Sequence, residues 1–135
     1  MIIFSTDSHI SSWAGMSPGN NESAGKRKSG KTTKGNKSLR STLVISAHSA
    51  ARTKNTYLSA QYRRIASRRG GNRAAVAVGH SILVSAYHIL KKREPYKELG
   101  SDYFDQRKKD SVVNIAVKRL KALGYKVTLE IDAVA

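Results

Sequence analysis

Four short stretches of this sequence have the residue types and spacing that chemistry requires, and three of them lack the surroundings to use it. Gly25-Lys26-Arg27-Lys28-Ser29-Gly30-Lys31-Thr32 satisfies the phosphate-cradling pattern of nucleotide hydrolases letter for letter. That loop works only between a buried strand and a helix, because loop amides and the helix N-terminus must converge on the phosphates. Here Pro18-Gly19-Asn20-Asn21 precedes it and Lys34-Gly35 breaks the segment after it, so nucleotide hydrolysis is not expected. Gly15-Met16-Ser17-Pro18-Gly19 matches the nucleophile elbow of serine hydrolases. The elbow uses the N–H of the residue after serine as an oxyanion donor, and Pro18 has none. His9, His48, His80 and His88 show no i,i+4 pairing and no nearby carboxylates of the metal-site kind, so no metal site is expected in this chain. The fourth is the cationic segment from Lys26 to Lys34, a Gly-rich basic stretch able to bind phosphate.

The elements that must position these residues follow from periodicity and capping. Thr6 or Asp7 is placed to cap a short helix carrying Ile10 and Trp13 and ending at Gly15. Residues 15 to 35 are rich in Gly, Ser, Asn and Lys without apolar periodicity, and are expected to form a long basic loop. Asn36 caps a helix to about Arg52, with Leu39, Leu43, Ala47 and Ala50 on one face. Asn55 is expected to cap a third helix, to about Arg69, with Leu58, Tyr62 and Ile65 turned inward and Arg63, Arg64, Arg68 and Arg69 outward. Residues 73 to 92 form an apolar helix whose Ser81, Ser85 and His88 share one stripe, the pattern of a core helix. The apolar stretch Ala74 to Leu90 is shorter than a membrane span and contains two histidines and two serines.

After Pro95, Asp110 is placed to cap a helix to about Leu123, with Val113, Ala116, Val117, Leu120 and Leu123 on one face, and Gly124 stops it. Residues 125 to 131 alternate Tyr125, Val127, Leu129 and Ile131 with polar side chains, the period of a strand. A lone strand needs a partner: the run Ile2 to Phe4 or another polypeptide, failing which the segment is an ill-ordered tail. The fold expected is mainly α: a small helical bundle over residues 1–95 with a basic loop, then a C-terminal extension over 96–135 with one helix and one strand.

Charge narrows the partners. The chain has 135 residues, 25 Lys and Arg, 9 Asp and Glu and a net charge of +16, so its field draws polyanions. The imbalance is concentrated early: residues 1 to 73 hold 14 Lys and Arg against Asp7 and Glu22 alone. Mixed-sign surfaces achieve solubility with far less asymmetry, so nucleic acid is the expected partner. The absence of cysteine rules out disulfide frameworks and thiolate metal sites and accords with a reducing cytoplasm. Ile2-Ile3-Phe4 is too short for a secretory h-region and lacks a basic segment before it. No membrane partner is expected, and the glycosylation pattern Asn21-Glu22-Ser23 has no physical consequence.

The run from Ser12-Trp13-Ala14-Gly15 through Asn21-Glu22-Ser23-Ala24-Gly25-Lys26-Arg27-Lys28-Ser29-Gly30, continuing in Thr33-Lys34-Gly35-Asn36 and Leu39-Arg40, closely resembles one family. It is the insertion-sequence 110/116/902 transposase family, Piv-like and RuvC-type. The likeness extends through Thr56-Tyr57-Leu58, Gln61-Tyr62-Arg63-Arg64, Arg68-Arg69-Gly70 and Ala77 to Leu83, then to Tyr96 and Asp102-Tyr103-Phe104.

The resemblance implies a C-terminal transposase domain acting in DNA transposition and recombination, in a bacterial cytoplasm and nucleoid-associated when bound to DNA. It implies a separate N-terminal RuvC-like domain with four carboxylates, where Mg2+ would be held, and a guide RNA that recruits target and donor DNA. It places the serine supplied to the composite site at Ser23. Attack of that hydroxyl on a phosphodiester forms a phosphoserine bond that conserves bond energy for rejoining. Lys26, Arg27, Lys28, Lys31, Lys34, Lys37 and Arg40, with Arg63, Arg64, Arg68 and Arg69 of the third helix, are the expected nucleic-acid contacts. Since no RuvC-like segment lies within the chain, it is expected to be a truncated product, inactive alone, with homo-oligomerisation left open. The alternative is a non-catalytic basic module for RNA or duplex DNA.

Overall fold

The computed structural model describes residues 3–19 and 21–130, the side chains of Asn21, Arg27 and Lys28 excepted. It is mainly helical, and the chain divides into two compact units, Met1–Ser101 and Asp102–Ala135. In the first unit α1 (Asp7–Trp13), a hairpin of β1 (Asn21–Ser23) and β2 (Lys26–Ser29), α2 (Lys37–Arg52), α3 (Tyr57–Arg69) and α4 (Gly71–Lys92) follow in order. The second holds α5 (Tyr103–Arg107) and α6 (Lys109–Ala122).

Capping by small polar residues sets the helix starts. The Thr6 hydroxyl accepts the N–H of His9, and the Asn36 carbonyl oxygen accepts that of Leu39 at 2.9 Å. Asn55 does not cap α3. It adopts a left-handed φ of 56°, and the extended Thr56 next to it supplies the hydroxyl to the Ser59 N–H instead. The carboxylate of Glu98 also accepts the N–H of Tyr57, at 2.7 Å, and that of Gly100, at 3.0 Å. The segment after α4 is thereby tied to the start of α3, and the Tyr57 N–H holds the Glu98 carboxyl below the usual carboxylate range. The first unit accordingly runs past residue 95 to Ser101.

α4 is the central element, packed against α1, α2 and α3. At 22 residues it is long and apolar enough, by length and composition, to cross a membrane, longer than its sequence suggested. Its Ala74, Ala75, Val78, Gly79, Leu83 and Tyr87 are instead buried against its neighbours. Small side chains let the helices approach closely: a Cβ on Gly79 would lie 3.2 Å from the Leu43 carbonyl oxygen and 2.8 Å from the Met16 Cε. Ala14, Met16, Leu43 and Leu83 form one core cluster and Ala47, Ala75 and Val78 a second, onto which Leu58 and Tyr62 pack. Leu43 and Ala47 of these clusters belong to the inward face read from the sequence for α2. Tyr87 anchors the chain's start, its hydroxyl donating to the Ser5 carbonyl at 2.8 Å while the Lys91 ammonium reaches both.

Two further sequence expectations, both for residues after 101, fail. Residues 125–130, expected as a strand, have no strand pairing, and Ile131 lies outside the described residues. Alternation alone supplies no ladder partner: Ile3 is exposed and Phe4 lies against Trp13, ring centroids 5.4 Å apart, while Ile2 lies outside the described residues. Asp110 is not the cap of α6 but sits in its first turn, after Lys108 in the cap position. In the second unit Val113 and Val117 are half-buried, whereas Leu120 and Leu123 of the expected apolar face are exposed.

Candidate nucleic-acid interface

The stretch expected as an open basic loop is a two-stranded antiparallel hairpin over much of its length. Its base is the Pro18–Thr32 bridge, with Gly19 N–H donating to the Lys31 carbonyl at 2.8 Å and Thr33 N–H to the Ser17 carbonyl at 3.4 Å. Further out, Ser23 pairs with Lys26 and Glu22 with Arg27, with an irregularity next to Asn21. At the apex Ala24 and Gly25 both have positive φ, 50° and 71°, the sign pattern of a type I′ hairpin turn. Gly25 takes it freely, and Ala24 is a strained second choice. Both strands are polar on both faces, so no hydrophobic alternation reveals them.

This hairpin cannot serve as a nucleotide-phosphate loop, because Lys26–Ser29 is strand and α2 starts only at Lys37. Nor does Met16-Ser17-Pro18 form an elbow: Met16 is buried and the Ser17 backbone is engaged by Thr33.

Two glycines and one arginine fix the hairpin to the bundle. Gly15, with φ 68°, ends α1 and lies against Gly35, where a Cβ would come 2.2 Å from the Gly15 nitrogen. The Asn36 N–H donates to the Trp13 carbonyl at 3.1 Å. From α2, the half-buried Arg40 guanidinium donates to the Gly15 carbonyl and to the Thr32 hydroxyl. One planar cation thus joins both legs of the hairpin to α2, so Arg40, expected as a phosphate contact, is also a structural clamp. Arg40→Ala is expected to cost about 2 kcal/mol, since it strands two acceptors of a charged donor. Hydrogen exchange at the Gly19 and Thr33 amides checks this, and protection equal to the unmutated chain would refute the clamp.

Ser23 stands exposed beside this apex. Because directly paired residues project to the same side of a hairpin, the Lys26 ammonium is its cross-strand neighbour. Arg27 and Lys28 belong to β2, but their side chains lie outside the described residues.

A second feature collects the remaining cations. An open groove of roughly 1470 Å³ runs between the hairpin's returning leg, the start of α2 and the α3–α4 corner. Lys31, Lys34, Lys37, Arg40 and Arg69 of the expected contacts line it, together with Arg73, which the sequence reading passed over. Its floor includes Gln61, Val76, Ala77, His80 and Ser81. Gln61 donates to the Ser81 hydroxyl at 2.9 Å. No Asp or Glu is among the lining residues. Ser23, Lys26, Arg63, Arg64 and Arg68 do not line the groove. Arg73 comes just after the Gly70-Gly71 break and is the first cation of α4; the basic run ending at Arg69 was the available signal.

Of the histidines, His80 lies in the groove and His48 meets the Tyr62 ring edge-on. His88 has a carboxylate neighbour of another kind: its Nε2 lies 3.4 Å from Asp7 Oδ2, a contact between α4 and α1 that sequence distance hides. Among the described residues no three His, Asp or Glu side chains gather into a metal-binding group.

Residues 2–63 match the family model described as Transposase IS116/IS110/IS902 family, a span covering α1, the hairpin, α2 and the first half of α3. No curated protein and no solved structure matches the chain. Through this amino-terminal segment, which carries Ser23 and the clamp, the chain is similar to the IS116/IS110/IS902 transposase family.

Proposed function

We propose that this chain is the serine-supplying, DNA-binding C-terminal domain of a transposase, with Ser23 as the nucleophile and the hairpin and groove cations as the phosphate contacts. The observation that carries the reading is Ser23 itself: solvent-exposed at a hairpin apex, with Lys26 directly across the ladder. In the step proposed, the Ser23 oxygen bonds to phosphorus, one P–O ester bond to the departing strand breaks, and the proton given up by the hydroxyl ends on the freed strand end. The phosphodiester energy is kept in the phosphoserine link, so rejoining needs no external energy source. Lys26 offsets the negative charge that grows on the phosphate oxygens.

The resemblance makes a RuvC-like domain, a guide RNA and Mg2+ parts of this proposal. Mg2+ would sit on that domain's carboxylates, since the described residues of this chain offer no such group. Activity of the whole then depends on that domain, and the isolated chain is proposed to bind nucleic acid without recombining it. A second reading, a non-catalytic binding module, is favoured by one observation: the groove that gathers six cations does not contain Ser23.

A covalent-adduct assay separates them. The chain, supplemented with a RuvC-like domain, guide RNA and Mg2+, is incubated with labelled DNA, denatured, and the adduct mapped by mass spectrometry. A phosphoserine at Ser23 is expected; adduct at another residue, or tight binding with none, would favour the module.

A further inference from the structure

We infer that the groove is a two-walled seat for one sugar-phosphate ridge of duplex DNA, with Arg69 and Arg73 forming a second cationic wall. This rests on the DNA-binding reading above but not on Ser23 chemistry.

The lining cations come from two separate stretches of chain. Lys31, Lys34 and Lys37 belong to the hairpin leg and the start of α2; Arg69 and Arg73 belong to the end of α3 and the first turn of α4. Between them the floor is uncharged. A backbone ridge, with phosphate oxygens on both flanks, is neutralised by walls of this kind, whereas a lone phosphate needs only one convergent cluster. No carboxylate in the lining opposes it.

The same lining decides between paired and unpaired strands. Grooves that hold single strands combine cations with aromatic side chains on which splayed bases stack. This groove is lined by no Phe, Tyr or Trp. Its floor offers Val76, Ala77 and the Gln61–Ser81 pair, in which the Gln61 amide nitrogen donates to the serine hydroxyl and the Gln61 amide oxygen is buried away from an incoming base. Bases gain nothing by leaving their stack here, so they stay paired and the duplex is held by charge and shape. Arg52 and Lys54, at and just past the far end of α2, are exposed and outside the groove, which supplies an internal control.

The test uses the full chain and fluorescence anisotropy across a salt series, with one labelled sequence presented as duplex DNA, duplex RNA and single-stranded DNA. Arg69→Ala/Arg73→Ala and Lys34→Ala/Lys37→Ala are each expected to lower the slope of log K against log salt for duplex DNA by about 1.8, at about 0.9 for each phosphate no longer neutralised. Arg52→Ala/Lys54→Ala, with the same charge removed, is expected to leave the slope within about 0.5 of the unmutated chain. All six positions are exposed, so the variants should fold, and circular dichroism checks that they do. An equal fall in slope from the control pair would overturn the groove while leaving DNA binding intact. Tighter binding of single strands or duplex RNA than of duplex DNA would overturn the assignment of partner. Absence of any salt-sensitive binding would overturn the DNA-binding reading itself, and this inference with it.

Discussion

Ser23→Ala is expected to abolish covalent DNA attachment and strand joining in a reaction supplied with the RuvC-like domain, while DNA affinity stays within about twofold. The chemical loss should exceed roughly 10³-fold, because removing a nucleophile removes the step it performs rather than weakening it. Stability should change by less than about 0.5 kcal/mol: the side chain is exposed and belongs to a hairpin apex rather than to either core cluster. Affinity should hold because the six groove cations are untouched. Lys26→Ala is the graded companion. It retains the hydroxyl and loses the adjacent charge, so the adduct should form more slowly without disappearing. Adduct formation by Ser23→Ala at the unmutated rate would remove Ser23 from the chemistry.

The second large effect is on folding. Gly35→Ala places a Cβ 2.2 Å from the Gly15 nitrogen and 2.6 Å from both the Ala14 carbonyl carbon and the Gly15 Cα, all backbone atoms that no rotamer change can move aside. Relief requires the hairpin's base to part from the end of α1, breaking the Asn36 to Trp13 hydrogen bond and straining the Arg40 clamp. Overpacking commonly costs 1–3 kcal/mol, and with backbone on both sides about 3 kcal/mol is expected. Against a total stability of about 5–15 kcal/mol this is a large fraction, and for a unit of this size it lowers the melting temperature by roughly 10 °C or more. Gly30→Ala is the control, since a Cβ there meets nothing within 4 Å. Thermal and urea melts of the two variants decide the matter. Coincident midpoints would show that the Gly15–Gly35 contact is not tight in solution.

The two mutations report different halves of one arrangement. Ser23 tests what the hairpin carries; Gly35 tests how it is mounted. A bundle of small residues, with Ala47, Ala74, Ala75 and Val78 fully buried, gives that mount closely spaced helices on which to stand. Arg40 links the two, because its guanidinium holds the hairpin's legs while the residue also lines the cationic groove.

By itself the sequence determined the helices with strong local signals. Asn36 and the Leu39, Leu43, Ala47 spacing fixed α2, Gly15 stopped α1, and the continuous apolar run marked α4 as the central helix, all through interactions within a few residues. It also determined the sign of the chain's own field, since net charge needs no geometry. Tertiary structure alone decided the rest. Whether alternating residues become a strand depends on a partner elsewhere in the chain, so polar Asn21–Ser29 became a hairpin while the more convincing pattern at residues 125–130 did not. Which arginines share a groove depends on how α3 meets α4, which is why Arg73 joined Arg69 while Arg63 and Arg68 stayed apart. Contacts such as Arg40 to Gly15, or His88 to Asp7, span 25 and 81 positions of chain. No local pattern encodes them, because the energy that selects them is released only when the helices have packed.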